Sequence, residues 1–238
     1  MIAQGILPFK YKEEKKYTGM TAMAGLPVYL DLMHASGFSE MIKRNLKVLE
    51  GGQGWTDIEI IVTLILLNLA GGDCVDDVRI LEGDNGFGEV FKKVITYGMK
   101  RKERREWERR WRKEKKRGFP SPSAIFRYLG KFHSEEEEKR RKPHKAFIPE
   151  ANENLKGLGL INREFIGRVQ QKSRQKVATL DMDATVVETH KNSALYCYKG
   201  YRSYQPINIY WCEQDQILYS EYRNGNVPAG YEQLLQFK

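Results

Sequence analysis

The sequence predicts an α+β protein in which a helical N-terminal part precedes a short β-meander. Three observations carry this. From Thr21 to about Gln171 apolar residues recur at helical spacing, with caps and glycines where helices start and stop. From Lys176 onward the period changes to two. Three strand-like runs follow, closed by Glu213-Gln-Asp-Gln216 and Asn224-Gly-Asn226 as turns. With 238 residues, 41% hydrophobic and 30% charged, the chain suits one large domain or two modest ones with a true core. The expected boundaries are an arm over 1–20, a helical region over 21–172 and a strand-bearing region over 173–238.

The first helix carries Met23, Leu26, Val28, Leu30, Leu32 and Met33, and Gly37 stops it. A second runs from Phe38 to Leu46 with Ser39 as a cap. Thr56 then reads as an N-cap with Glu59 at the capping-box position, and Asp57 to Ala70 is apolar enough to be the centre of the bundle. Asp73 is expected to cap a helix reaching Glu82, with Asp76 and Asp77 as first-turn acids rather than metal ligands. Asp84 starts another helix through Val90 and Val94. Ser121 or Ser123 caps a helix carrying Ile125, Tyr128, Leu129 and Phe132, flanked by Arg127 and Lys131. This helix is either a recognition element or one more bundle helix. Glu135 to Lys142 sets acids before bases, the order that favours i,i+4 pairs. The last helix, Glu150 to Gln171, is expected to be interrupted near Gly157 and Gly159.

The net charge is +9, which suits a polyanionic partner, nucleic acid above all. Lys100 to Arg117 concentrates it: twelve basic residues against four acidic ones, a surplus of eight. Trp107 and Trp111 are four apart and share one helix face. Two readings of this helix stand level. Arg101, Arg104, Arg105, Arg109, Arg112 and Lys116 lie on DNA phosphates, or the helix is solvated and pinned to the bundle by its tryptophans. The apolar run Ile60 to Ala70 is too short to cross a bilayer. Cys74, Cys197 and Cys212 form no metal-binding spacing and are expected to be buried thiols.

The stretch Lys176 to Glu188 reads as a strand with an unusual end. Val177, Thr179, Asp181 and Asp183 share one face, and Ala178, Leu180 and Met182 form the apolar one. Strands avoid carboxylates, so Asp181 and Asp183 call for a metal ion, a basic partner or a catalytic proton. A strand ending in carboxylates, followed by a hairpin and a helix opened by Pro228, is the order in which a ribonuclease H-like fold begins. Lys199, Arg202 and Arg223 are candidates to flank phosphate beside it, or edge charges that resist aggregation. Tyr198, Tyr201, Tyr204 and Tyr210 read as sheet packing. His190 reads as an exposed loop residue.

Several segments carry a resemblance. Leu180-Asp-Met-Asp-Ala-Thr185 resembles the first-aspartate motif of bacterial DDE insertion-sequence transposases. Tyr198-Lys-Gly-Tyr201 with Pro206, then Arg223-Asn-Gly-Asn226, resemble the second and third strands of that catalytic domain. Gly71-Gly-Asp-Cys-Val-Asp-Asp77 and Pro120-Ser-Pro-Ser123 are similar to the helical region of one branch. The resemblance implies a helical DNA-binding region, a ribonuclease H-like catalytic domain, and metal-dependent DNA cleavage and strand transfer. It puts the first catalytic aspartate on Asp183, with Asp181 a second metal-ligand candidate, and implies Mg²⁺ or Mn²⁺ in a two-metal site. Partners would be terminal inverted repeats and target DNA, with a possible homodimer, no membrane, and a bacterial cytoplasmic, nucleoid-associated location. The family pattern continues through a second aspartate and a glutamate. Glu188, Glu213, Asp215 and Glu221 fall at the wrong points to replace them, so this chain alone is expected to be an incomplete, inactive portion.

Two other readings compete. One is a non-catalytic DNA-binding protein that occupies element ends and inhibits the full enzyme. The other takes Asp181-Met-Asp183 as the metal site of a nucleotide-sugar transferase, against which the basic helical region argues.

Overall fold

A computed structural model describes residues 3–4, 10–11, 21–49, 54–110, 117–143 and 145–232. The chain forms two compact units, Met1–Phe132 and His133–Lys238. Both helices and antiparallel sheet are present, as the α+β expectation required.

In the first unit, β1 (Ala3–Gln4) and β2 (Lys10–Tyr11) pair antiparallel. The rest of the expected arm lies outside the described residues. The bundle comprises α1 (Leu26–Ala35), α2 (Phe38–Asn45), α3 (Asp57–Leu69), α4 (Val78–Gly83), α5 (Asn85–Ile95), α6 (Arg101–Arg110) and α7 (Pro122–Leu129). Gly37, not Ser39, stands at the head of α2. Its φ of 67° lies in the left-handed region that glycine enters freely, and this lets the chain turn sharply out of α1. The core joins Leu30, Met41, Ile42, Ile60, Leu66, Leu81, Phe87, Phe91, Phe119, Ile125 and Tyr128. Phe119, just before α7, stacks 4.7 Å from Phe91 and 5.8 Å from Phe87.

The caps come partly from other residues than expected. Thr56 and Glu59 form the reciprocal capping box on α3, as read from the sequence. Ser121 rather than Ser123 caps α7. At the turn before α4 it is Asp77, not Asp73, that serves. Its Oδ2 accepts the backbone N–H groups of Asp73 at 2.9 Å and Cys74 at 3.0 Å, and a short 3-10 turn over Val75–Asp77 intervenes.

Asp84 does more than cap α5. Its Oδ1 accepts the Phe87 N–H at 2.8 Å, while Oδ2 accepts Thr21 Oγ1 at 2.6 Å and the Ala22 N–H at 2.9 Å. Partial burial raises the carboxyl, but these bonds, with one from the Gly86 N–H, outweigh it and leave the pKa below its ordinary value. A carboxyl lowered by folding stabilises the fold above its unfolded pKa, and that stabilisation is lost as pH falls through the folded value. Asp84→Asn keeps an acceptor but cannot titrate. Thermal melts between about pH 6 and pH 3 should therefore show a smaller acid-induced fall for this variant than for the wild type. Equal falls would remove Asp84 from the acid response.

The second unit takes in the last two helices together with the strands. Its elements are α8 (Glu135–Lys139), α9 (Glu153–Lys172), β3 (Leu180–Ala184), β4 (Val187–Glu188), β5 (Leu195–Tyr196), β6 (Arg202–Tyr204), β7 (Ile207–Trp211) and β8 (Gln216–Glu221). Ion pairs on and beyond α8 run i,i+3, not i,i+4: Glu137 with Arg140 at 2.8 Å and Glu138 with Arg141 at 2.9 Å. Asn152 caps α9, which passes through Gly157 and Gly159 without the expected interruption. Two glycines cost roughly 2 kcal/mol of helix propensity. The cap, the burial of Gly157 and Ile161 and the docking against β8 offset that. Asn162 Nδ2 donates to the Leu218 carbonyl at 2.8 Å, fixing the contact.

The expected single strand from Lys176 to Glu188 is two strands in two sheets. β3, β7 and β8 form an antiparallel meander in that order, and β4, β6 and β5 form a second three-stranded sheet with β6 central. Between them, the Thr185 N–H donates to the Pro206 carbonyl at 3.0 Å, which moves the chain from one sheet to the other. Ile207, Ile209 and Trp211 alternate into the core. The apolar face of β3 is less covered than expected, with Leu180 38% exposed, because β3 lies at a sheet edge among the described residues and pairs only with β7. The helix expected from Pro228 is a turn as far as Glu232, and the remainder lies outside the described residues.

Candidate functional site

The acidic strand presents its carboxylates as the alternation required. Register sets Asp181 opposite Tyr210 and Asp183 opposite Asn208, and Asn208 opposite Ser220 of β8. Both aspartates are exposed. Asp183 Oδ2 accepts Thr185 Oγ1 at 3.3 Å, and Asn208 Oδ1 accepts Ser220 Oγ at 2.6 Å. The face is therefore polar and open, with oxygen donors of the kind that hard Mg²⁺ or Mn²⁺ prefers. Two carboxylates at i and i+2 on a strand stand about 7 Å apart. Among the described residues no group of three or more His, Cys, Asp or Glu side chains is placed to hold a metal ion. The donors fit such a cation in kind but make only part of a shell.

Three of the other acids of this region, Glu213, Asp215 and Glu221, have structural work, while Glu188 in β4 is exposed. Glu213 accepts the Thr179 N–H at 2.8 Å as well as the Thr179 hydroxyl, and these bonds hold its carboxyl below the ordinary range. The Tyr210 hydroxyl donates to Asp215, whose φ of 53° places it in the left-handed corner of the β7–β8 turn. Glu221 accepts both the Arg223 Nε–H and, at 2.8 Å, the Tyr219 hydroxyl.

Arg223 fits neither alternative, phosphate contact or exposed edge charge: its guanidinium is buried, pairs with Glu221 and donates to the Tyr231 carbonyl at 3.1 Å. Burying a guanidinium needs such partners. His190 is exposed, as expected. Of the cysteines only Cys197 is buried; Cys74 and Cys212 are exposed, and all three are free thiols.

In the first unit, α6 supplies the basic surface. Trp107 is its buried residue, and Nε1 donates to Glu59 Oε1 at 2.8 Å. This indole is docked on protein and is not offered to bases. At roughly 100° per residue, Arg101, Lys102, Arg105 and Arg109 fall on the side away from Trp107. All four are exposed. Arg104 lies nearer the docked face and pairs with Glu108 at 3.3 Å. Arg112, Lys116 and Trp111 lie outside the described residues. Arg127 is exposed on α7, where its Nε donates to the Ser123 carbonyl at 3.3 Å, while Ile125 and Tyr128 face the core.

In the second unit, Lys199 lies in the β5–β6 connection and Arg202 opens β6. Lys199 Nζ lies 5.8 Å from the centre of the Tyr198 ring, and Arg202 Cζ lies 5.5 Å from that of Tyr196. Tyr198, which reads from the sequence as sheet packing, is instead 79% exposed. Tyr196 does not stand out in the sequence at all. Its signal lies in Tyr196-Cys-Tyr198 and Arg202-Ser-Tyr204, where one buried small residue sits between two outward ones.

Among the described residues, no helix is long and apolar enough to cross a membrane. No protein-family model, curated protein or solved structure matches the chain.

Proposed function

We propose that the chain is a DNA-binding protein of the insertion-sequence transposase class, which grips element ends through its helical region and carries the first aspartate of a metal-dependent nuclease centre. The observation that carries this is α6, whose outward side is a row of exposed Arg101, Lys102, Arg105 and Arg109, opposite a tryptophan docked on the bundle. A rigidly anchored cationic row suits the phosphates of a duplex and reads no bases by itself. The order β3-β7-β8, with the acidic strand at the edge among the described residues, is compatible with the opening meander of a ribonuclease H-like fold. Asp183 would be the first metal ligand there and Asp181 a neighbour to it.

A specific observation favours the non-catalytic alternative for this chain by itself. Glu213, Asp215 and Glu221, three of the acids near the strand, are each tied to a structural partner. This chain alone is thus proposed to occupy element ends without cutting them.

The test is duplex binding as a function of salt. Replacing Lys102, Arg105 and Arg109 together by alanine should weaken binding. The slope of log affinity against log salt should flatten by about 0.9 for each phosphate that is no longer neutralised. Asp183→Ala should leave affinity unchanged, and the chain with Mn²⁺ should not cleave. A slope insensitive to the triple change would sink the assignment to α6, and clear cleavage would sink the non-catalytic reading.

A further inference from the structure

The sheet of β4, β6 and β5 carries a surface that the duplex-binding role does not use. Register puts Val187 opposite Tyr204 and Tyr196 opposite Arg202, so these four side chains share one face. The Tyr222 ring adds to it, 4.8 Å from that of Tyr204. On the opposite face Glu188 and Leu195 flank Ser203, which is fully buried. Alternation then forces Arg202 and Tyr204 outward. The same logic acts one turn earlier. Cys197 is buried, the Cys197 N–H donates to the Tyr201 carbonyl at 2.9 Å, and Gly200 closes the turn at a φ of 84°. Tyr196 and Tyr198, on either side of Cys197, are left outside.

The outcome is unusual for a protein surface. Tyr196, Tyr198 and Tyr222 are 61%, 79% and 66% exposed, on or beside one small sheet. Two of these rings have a cation over them, Arg202 at Tyr196 and Lys199 at Tyr198. Such contacts fix the rings and keep a positive charge next to each one. Arg202 is itself held, with Nη1 donating to the Asn192 carbonyl. Exposed rings with interleaved cations are what an unpaired nucleic-acid strand requires: bases stack on the rings, and phosphates lie against the charges. A duplex offers no free base faces to such a surface. Val187, at the far edge of this face, is four residues beyond Asp183, at most about 14 Å along extended chain.

We propose that the face of Tyr196, Arg202 and Tyr204, with the adjoining turn residue Tyr198, binds unpaired DNA, holding a single-stranded segment beside the acidic strand. This rests on the reading of the chain as DNA-binding and adds to it a second, differently selective surface.

Fluorescence anisotropy of the full chain would be measured with a labelled oligo-dT of about 12 nucleotides and with a duplex of the same length. The wild type is expected to bind both. Tyr196→Ala with Tyr198→Ala should lose about tenfold or more in single-strand affinity while duplex affinity stays within about twofold. Tyr198→Ala alone, in an exposed turn where unfolding is not an issue, should lose part of that. Replacing Lys102, Arg105 and Arg109 should act mainly on the duplex. The proposal is overturned if the wild type does not bind the oligo-dT, if the tyrosine variants bind it as the wild type does, or if both affinities fall together. Single-strand binding without duplex binding would keep this surface and overturn the role of α6. Binding to neither would overturn both.

Discussion

Replacing Glu59 by alanine should lower the stability of the helical unit by about 3 kcal/mol and release α6 from it. Glu59 is almost fully buried, and hydrogen bonds tie it to both Thr56 and Trp107. Oε2 accepts the Thr56 N–H at 2.7 Å and the Thr56 hydroxyl at 2.8 Å, and Oε1 accepts Trp107 Nε1–H at 2.8 Å. Losing the cap contributes about 1 kcal/mol. Leaving a buried indole N–H without its acceptor contributes about 1–3 kcal/mol more. The expected fall in melting temperature is on the order of 10 °C. Glu59→Gln is the informative companion. Glutamine serves a capping box, but an amide has only one acceptor oxygen, and satisfying Thr56 turns its NH₂ toward the indole. It should therefore keep the cap and lose the α6 tether. Duplex DNA affinity is the second readout, because a detached α6 no longer holds Arg105 and Arg109 in a fixed row. If Glu59→Ala melts within about 2 °C of the wild type, the tether is not a significant contributor.

The Glu59 pair also shows where inference from sequence succeeds and where it stops. Thr56 and Glu59 are three residues apart, so their capping box is a local pattern and can be read directly. The Trp107 partner is 48 positions away, and no local rule links the two. The same division holds elsewhere. The three-strand meander and the outward face of Asp181 and Asp183 follow from a period of two and from turn residues. The break between β3 and β4, which lie in different sheets, is marked by a bond from Thr185 to Pro206, which is tertiary. Arg223 and Lys199 look alike in sequence, yet one is buried beside Glu221 and the other exposed. The tyrosine face escapes the sequence for a related reason. Alternation puts Tyr196 and Cys197 on opposite sides, but does not say which of the two sides is covered.

Gly225→Ala should disrupt the sheet that carries those tyrosines. A Cβ at this position would lie 2.3 Å from Ser203 Oγ, 2.7 Å from the Ser203 carbonyl and 2.8 Å from the Leu195 carbonyl. Two of these are backbone atoms of β6 and β5, which cannot rotate away. The Gly225 N–H also donates to the Ser203 carbonyl at 2.9 Å, so the loop cannot retreat without breaking that bond. Ser203 is the central residue, paired with both Glu188 and Leu195. Moving it separates all three strands. Overpacking of this kind costs about 3 kcal/mol. Hydrogen exchange should show faster exchange of the β4, β5 and β6 amides, with those of α3 in the other unit unchanged. Oligo-dT affinity should fall with the sheet, since Tyr196, Arg202 and Tyr204 owe their common face to its register. Adding Ser203→Gly removes the hydroxyl and leaves both carbonyls in place, so the double variant should recover little. Full recovery would mean that the hydroxyl alone makes the site intolerant. Unchanged exchange in Gly225→Ala would mean that the loop has room to move, and that the tyrosine face does not depend on this contact.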